Sequence, residues 1–160
     1  MTARTSETPA AWAFEEHEHH DLERGLNRIH DVASEVGHRP TPELSVDILS
    51  VLGWLEHTLE PHIAWEEAWL YPEIDARTGT PWATRASRFD HHQIRQTAER
   101  LRLDQATLGA RAPGDHEAET RCHLYSLEAL VRAHIEREER FLIPLLNADA
   151  SVESVSASLR

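Results

Sequence analysis

A set of residues in the second half of the chain matches a set in the first half at one constant offset, so the chain contains an internal repeat. The offset is 72 positions, the separation of His62 and His134, and the longest copy runs from these two residues to Pro72 and Pro144. A repeat of this kind predicts two similar structural units that bury the same face against each other. The matched pairs are His19/His91, His62/His134, Glu66/Glu138, Glu67/Glu139 and Pro72/Pro144.

Apolar periodicity predicts helices throughout the chain. Apolar residues recur at alternating steps of three and four, as in Leu22, Leu26 and Ile29, and no segment alternates with the period of two that a strand requires. The pairs that begin with Thr41 and Thr80 predict helix starts, since threonine can cap a helix and proline fits its first position. We therefore expect an all-α, antiparallel up-down-up-down four-helix bundle with an internal twofold repeat. The predicted helices span residues 9–37, 42–71, 81–110 and 115–146.

The charge and composition of the chain limit the binding partners and the location that we expect for it. The chain has 28 acidic and 16 basic side chains and a formal charge of -12, which disfavours nucleic acids and anionic membranes. No apolar stretch approaches the roughly 18 residues of a membrane span, and a single cysteine excludes an internal disulfide. We expect a cytoplasmic protein, monomeric or weakly dimeric, with a bundle at residues 9–146. The tails are expected to be disordered at 1–8 and disordered or weakly helical at 147–160.

The repeated histidines and glutamates are predicted to meet at one end of the bundle. His62 and Glu66 are four residues apart, so both side chains lie on one helix face. The N-terminal ends of the first and third helices and the C-terminal ends of the second and fourth lie together in an antiparallel bundle. The resulting set of six candidate ligands is His19, His62, Glu66, His91, His134 and Glu138.

Two positions in this set required a choice between neighbouring histidines. His19 and His91 continue the inward faces of the first and third helices, whereas His20 and His92 lie about 100° further round. We therefore favour His19 and His91 as the ligands.

Imidazoles and carboxylates together suit iron, manganese or zinc and do not suit calcium. Two carboxylates can bridge two ions about 3.5–4 Å apart, which leaves each ion an open position for O2, peroxide or nitric oxide. A metal-free bundle is disfavoured, since buried carboxylates without partners are costly.

The two His-x-x-x-Glu-Glu…Pro blocks, His62 to Pro72 and His134 to Pro144, resemble those of the hemerythrin-like proteins with an HHE cation-binding domain. The resemblance covers about residues 10–146 and is closest to members with four His and two Glu. It implies two iron ions with an oxo or hydroxo bridge, with manganese or zinc as alternatives. It also implies a protein that binds or reacts with O2, peroxide or nitric oxide. A di-iron oxidase or peroxidase-type enzyme and an iron-holding or sensing module are the rival functions.

Four further residues are predicted near the ligands. Glu23 and Arg95 are matched by the repeat but opposite in charge, which leaves three interpretations. Either the two side chains form a salt bridge below the site, or Glu23 is a seventh metal ligand, or both side chains reach solvent. Glu67 and Glu139 either accept hydrogen bonds from the ligand imidazoles or are surface acids. Arg95 stands where oxygen-carrying relatives have a second histidine, which favours oxidation in air over stable oxygen carriage.

Aromatic residues follow the ligand blocks. Trp69 and Phe141, three residues beyond the glutamates, are predicted to pack inward and close the outer end of the site. Tyr71 could donate a hydrogen bond to a bound oxygen species, but an interfacial position is favoured. Pro61, inside the second predicted helix, should kink it and free the carbonyl of His57.

Overall fold

The described part of the chain forms four helices, and their arrangement confirms the predicted all-α, up-down-up-down bundle. The computed structural model describes the backbone of residues 11–108 and 115–146, and the side chains of residues 22–108 and 117–146. Within these ranges there is no strand. The predicted tails and the helix start at residue 9 lie outside them. The helices are α1 (Ala11–Glu35), α2 (41–78), α3 (Arg85–Thr107) and α4 (115–146).

The ends of the two middle helices differ from the prediction. Helix α2 continues to Thr78 and ends at Gly79, whose φ of 68° is the left-handed conformation that glycine adopts without strain. Helix α3 begins at Arg85, because the chain from Gly79 to Thr84 forms a turn instead of the predicted first helical turn. Helix α4 begins at Asp115, as predicted.

Each helix packs against two neighbours around one apolar core. Helices α1 and α3 both contact α2 and α4, so α1 lies diagonally opposite α3. At the crossing of α1 and α2 the indole ring of Trp54 lies on Gly25, where a Cβ atom would be 1.9 Å from Trp54 Cε2. Glycine at this position therefore permits the close approach of the two helices. Among the described residues, no helix is both long and apolar enough to cross a membrane.

Three π-helical turns interrupt the α-helical hydrogen bonding, two in α2 and one in α4. The turns span Leu55–Leu59, Glu66–Leu70 and Glu138–Leu142, and the last two are related by the repeat and begin at the candidate ligand glutamates. Each is closed by a backbone bond over five residues, such as Tyr71 N–H to the Glu66 carbonyl. A proline follows two residues after each turn. The wider turn relieves the clash that a proline ring makes with the carbonyl four residues before it. The three prolines are Pro61, Pro72 and Pro144.

The π turns change which side chains close the outer end of the bundle. The extra residue in each turn rotates the following helix by about 100° relative to an unbroken α-helix. Trp69 and Phe141 are therefore 70% and 61% exposed, so their predicted inward packing is wrong. Leu70, Tyr71 and Leu142 are buried in their place. They belong to a small apolar cluster that also contains Ile74 and is separate from the main core.

Candidate metal centre

Five of the six predicted ligands meet between the main core and this small apolar cluster. His62 and Glu66 come from α2, His91 from α3, and His134 and Glu138 from α4. All five side chains are buried. One ligand atom from each of Glu66, His91, His134 and Glu138 lies within 4.8 Å of the others. The side chain of the sixth, His19, lies outside the described residues, although its backbone is part of α1.

The carboxylate of Glu66 lies at the centre of the group. Its Oε1 is 2.8 Å from His62 Nε2, and its Oε2 is 3.1 Å from His91 Nε2 and 3.6 Å from His134 Nε2. Burial by itself would raise the pKa of Glu66, but hydrogen bonds with the imidazoles, that of His134 foremost, hold the pKa well below its usual range. Glu66 is therefore an anion that three histidines surround.

The imidazole of His134 is neutral in this environment. Burial lowers the pKa of His134, and the carboxylate of Glu66 only partly opposes that effect. Its Nε2 lies 3.5 Å from Glu138 Oε2 and 3.3 Å from His91 Nε2. Neutral imidazole is the form that binds a metal ion.

Tyr71 is a component of the site that the sequence analysis placed elsewhere. Its side chain is completely buried, its hydroxyl donates to Glu138 Oε1, and its ring stacks on His91 with centroids 5.4 Å apart. Burial and the neighbouring carboxylates Glu66 and Glu138 raise the pKa of Tyr71, so the phenol keeps its proton. The interfacial position favoured for Tyr71 is wrong, and the rotation after the π turn explains its inward position.

The hydrogen bonds assign the protons and leave lone pairs that point at each other. His91 Nδ1 is 2.8 Å from Glu67 Oε1, so the carboxylate accepts from Nδ1–H, and in the neutral, metal-binding imidazole this leaves the lone pair on Nε2. That Nε2 is 3.0 Å from the Tyr71 oxygen, whose proton is directed to Glu138. Nitrogen and oxygen lone pairs that converge beside two buried carboxylates form a donor set suited to transition-metal cations.

Carboxylates also lie behind the two imidazoles of α3 and α4. Glu67 accepts from His91 and from Arg95 Nη1 at 3.0 Å, which corresponds to the acceptor position, one of the two alternatives for Glu67. Burial alone would raise the pKa of Glu67, but its bonds to His91 and Arg95 lower it. His134 Nδ1 is 3.9 Å from Asp90 Oδ2, and Asp90 forms an ion pair with Arg137.

The other predicted neighbours take different positions. Arg95 donates to Glu60 and Glu67, so its charge is directed to the gap between α2 and α3. The side chains of Glu23 and Glu139 are exposed, which places both at the bundle surface. His92 is exposed and contacts Gln96, whereas His91 is buried, as the helical phase of α3 predicted.

Sequence reasoning missed Asp90 and Arg137. Neither belongs to an identical repeated pair, since Asp90 is matched by another acid, Glu18, and Arg137 by Trp65. The available signal was the spacing on the third and fourth helices. Arg137 follows His134 by three residues, and Asp90 immediately precedes His91. The inward turn of Tyr71 could have been predicted from Pro72, which marks the preceding π turn.

Residues 11–146 match the family model described as the hemerythrin HHE cation binding domain. That match covers the four helices and all six candidate ligands. No curated protein and no solved structure matches the chain significantly.

Proposed function

Since the chain belongs to the hemerythrin HHE cation-binding domain family, we propose that it is a non-haem di-iron protein that binds or reacts with a small oxidant or diatomic ligand. The family and the buried His/Glu group indicate a metal-binding module. The identity of the metal and the reaction are the proposal. The observation that most supports the proposal is the Glu66 carboxylate, which is completely buried and lies within 3.6 Å of the Nε2 atoms of three histidines.

The ligands divide between two ions. His91 and His134, whose Nε2 atoms are 3.3 Å apart, would hold one ion. His62 and His19 would hold the other, with Glu66 and Glu138 shared between them. Two histidines and shared carboxylates suit iron, and manganese and zinc remain alternatives that metal analysis distinguishes.

When bound, the two iron ions would supply redox chemistry at a small ligand, and the protein would supply proton control and exclusion of water. Tyr71 holds a proton between Glu138 and the Nε2 face of His91. The small apolar cluster covers the outer side of the ligands, and its residues Leu70 and Leu142 are almost completely buried. A proton donor inside a dry site favours reaction with a reducible ligand over simple iron storage.

A small ligand has space to approach from the side of the bundle. A cavity of about 280 Å³ lies between α2 and α3, with Leu59 and Ile94 in its apolar wall and Arg95 on its rim. His62 is three residues beyond Leu59, and His91 is three residues before Ile94, so the cavity is one helical turn from both ligands.

Two rival functions share the same ligands. An oxidase or peroxidase-type enzyme is favoured by Tyr71, because a buried phenol that keeps its proton can donate a hydrogen bond to a reduced oxygen species. An iron-holding or sensing module would need the same ions but no such donor.

Stopped-flow spectroscopy of the iron-loaded, reduced protein tests this proposal. We expect oxidation by O2 or peroxide, or formation of a nitric oxide adduct, within the mixing experiment. In air we expect the spectrum of oxidised iron and no long-lived oxygen adduct. An adduct that releases O2 under vacuum would contradict redox reactivity and place the chain among oxygen carriers. Reduced protein inert to all three reagents would refute the proposed function.

A further inference from the structure

Carboxylates lie behind the imidazoles of His91 and His134, but only the one behind His91 is at hydrogen-bonding distance, since Asp90 Oδ2 is 3.9 Å from His134 Nδ1. In each case the imidazole and an arginine one turn further along lie on the same helix, and a carboxylate from the preceding helix in the chain lies against both. On α3 the group is His91 and Arg95 with Glu67 of α2. On α4 it is His134 and Arg137 with Asp90 of α3.

The arginines compensate the carboxylates on the side away from the candidate metal ligands. Glu67 Oε1 is shared, at 2.8 Å from His91 Nδ1 and 3.0 Å from Arg95 Nη1. Arg95 is in turn fixed by Glu60, at 2.7 Å in the closest contact. Glu67 is thereby held in one position, with its free rotation restricted by two helices.

The candidate ligands repeat, but the two arginines do not. The counterparts of Arg95 and Arg137 at the 72-residue offset are Glu23 and Trp65, so neither position can supply a guanidinium. The two halves of the repeat therefore match in their candidate ligands and differ at these two positions.

We propose that Glu67, held by Arg95, is a positioning residue that fixes the Nδ1–H form of His91 and so directs its Nε2 at one metal ion. This inference rests on the proposed metal site. A carboxylate behind a ligand imidazole fixes the ring and increases its basicity, and its loss typically costs about 10–100-fold in metal affinity. The loss is expected at one of the two ions only.

The change in metal affinity on removal of Arg95 distinguishes a positioning role from a purely electrostatic one. A guanidinium near a cation site repels the cation, so its removal would raise metal affinity if charge were its only role. If Arg95 acts by holding Glu67, its removal lowers affinity. In that case Arg95→Gln has no further effect once Glu67 is gone, because two residues that act through one contact are coupled.

The test is a titration of the metal-free full-length protein with Co²⁺, in which the visible absorption of bound Co²⁺ reports binding. The variants are Glu67→Ala, Glu67→Gln, Arg95→Gln and the double variant Glu67→Ala/Arg95→Gln. Arg140→Gln, which changes an exposed arginine on α4, is the control. The thermal midpoint of each metal-free variant shows whether it is folded.

We expect Glu67→Ala to weaken binding of one Co²⁺ by about 10–100-fold, with the second ion and the Arg140→Gln control unchanged. Glu67→Gln keeps an acceptor for Nδ1–H and should lose less. Arg95→Gln should weaken the same ion, and the double variant should match Glu67→Ala. Unchanged affinity in folded Glu67→Ala, or higher affinity in Arg95→Gln, would overturn the inference. Wild-type protein that binds no Co²⁺ and no iron would instead refute the metal site itself.

Discussion

The hydroxyl of Tyr71 can be removed without changing the packing around it. Phenylalanine keeps the ring that stacks on His91 and fills the same buried space, so Tyr71→Phe deletes one oxygen atom. That oxygen donates to Glu138 and lies 3.0 Å from His91 Nε2. The substitution therefore measures the contribution of one buried, charge-assisted hydrogen bond.

The expected magnitude follows from the acceptor. Loss of a hydrogen bond to a charged group costs about 1.5–3 kcal/mol, and Glu138 is completely buried, so water cannot replace the donor. Each kcal/mol lowers the thermal midpoint of a domain of this size by about 2–4 °C. We therefore expect metal-free Tyr71→Phe to unfold about 3–12 °C below the wild type.

Calorimetry or circular dichroism of the metal-free protein provides the assay. The chain offers a matched control, because its other tyrosine, Tyr125, is 38% exposed and contacts the ring of His30 at the surface. Tyr125→Phe should change stability by less than about 0.5 kcal/mol. Equal midpoints for Tyr71→Phe and Tyr125→Phe would refute the hydrogen bond to Glu138.

Three other predictions follow from the described contacts. Gly25→Ala should destabilise the protein by about 1–3 kcal/mol, because the new methyl group forces the Trp54 ring aside. Gly53→Ala, whose methyl group meets no atom within 4 Å, should stabilise the protein by about 0.5–1 kcal/mol. Denaturant midpoints measure both effects, and equal shifts would contradict the packing of Trp54 on Gly25. The folded-state pKa of His134 lies below its unfolded value of about 6.5, so this contribution to metal-free stability is present above pH 6.5 and is lost as the pH falls below it. Glu66, whose pKa is also lowered, extends the loss below pH 4.5; urea unfolding that becomes more difficult between pH 7 and pH 5 would contradict this sign. His91→Ala and His19→Ala should lose iron while His92→Ala and His20→Ala retain it; the opposite ranking would show that the helical phase is wrong.

The repeat and the apolar periodicity were sufficient to predict the bundle and the convergence of five described ligands. Apart from the π turn at Leu55–Leu59, the ligands precede the change of helical phase, since Glu66 and Glu138 are the first residues of their π turns. The ends of helices were less predictable, because Thr80 resembles a helix start, but the chain forms a turn there and α3 begins at Arg85.

The inward and outward faces beyond the ligands could not be predicted from a constant helical period. The α-helical phase placed Trp69 and Phe141 inside, and the π turns that begin at Glu66 and Glu138 turned them outward. Prolines two residues beyond each turn were the physical signal. An intact α-helix cannot hold proline without losing a hydrogen bond and clashing with the preceding turn.

Iron analysis of the full chain and two variants tests the central claim most directly. Two half-sites that share Glu66 and Glu138 predict two iron ions per wild-type chain after anaerobic loading. His62→Ala and Glu66→Ala should each lose at least one ion, because both side chains belong to the buried group. Two ions in the wild type and fewer in both variants would support the account. A wild type without iron, or both variants with full metal content, would contradict it.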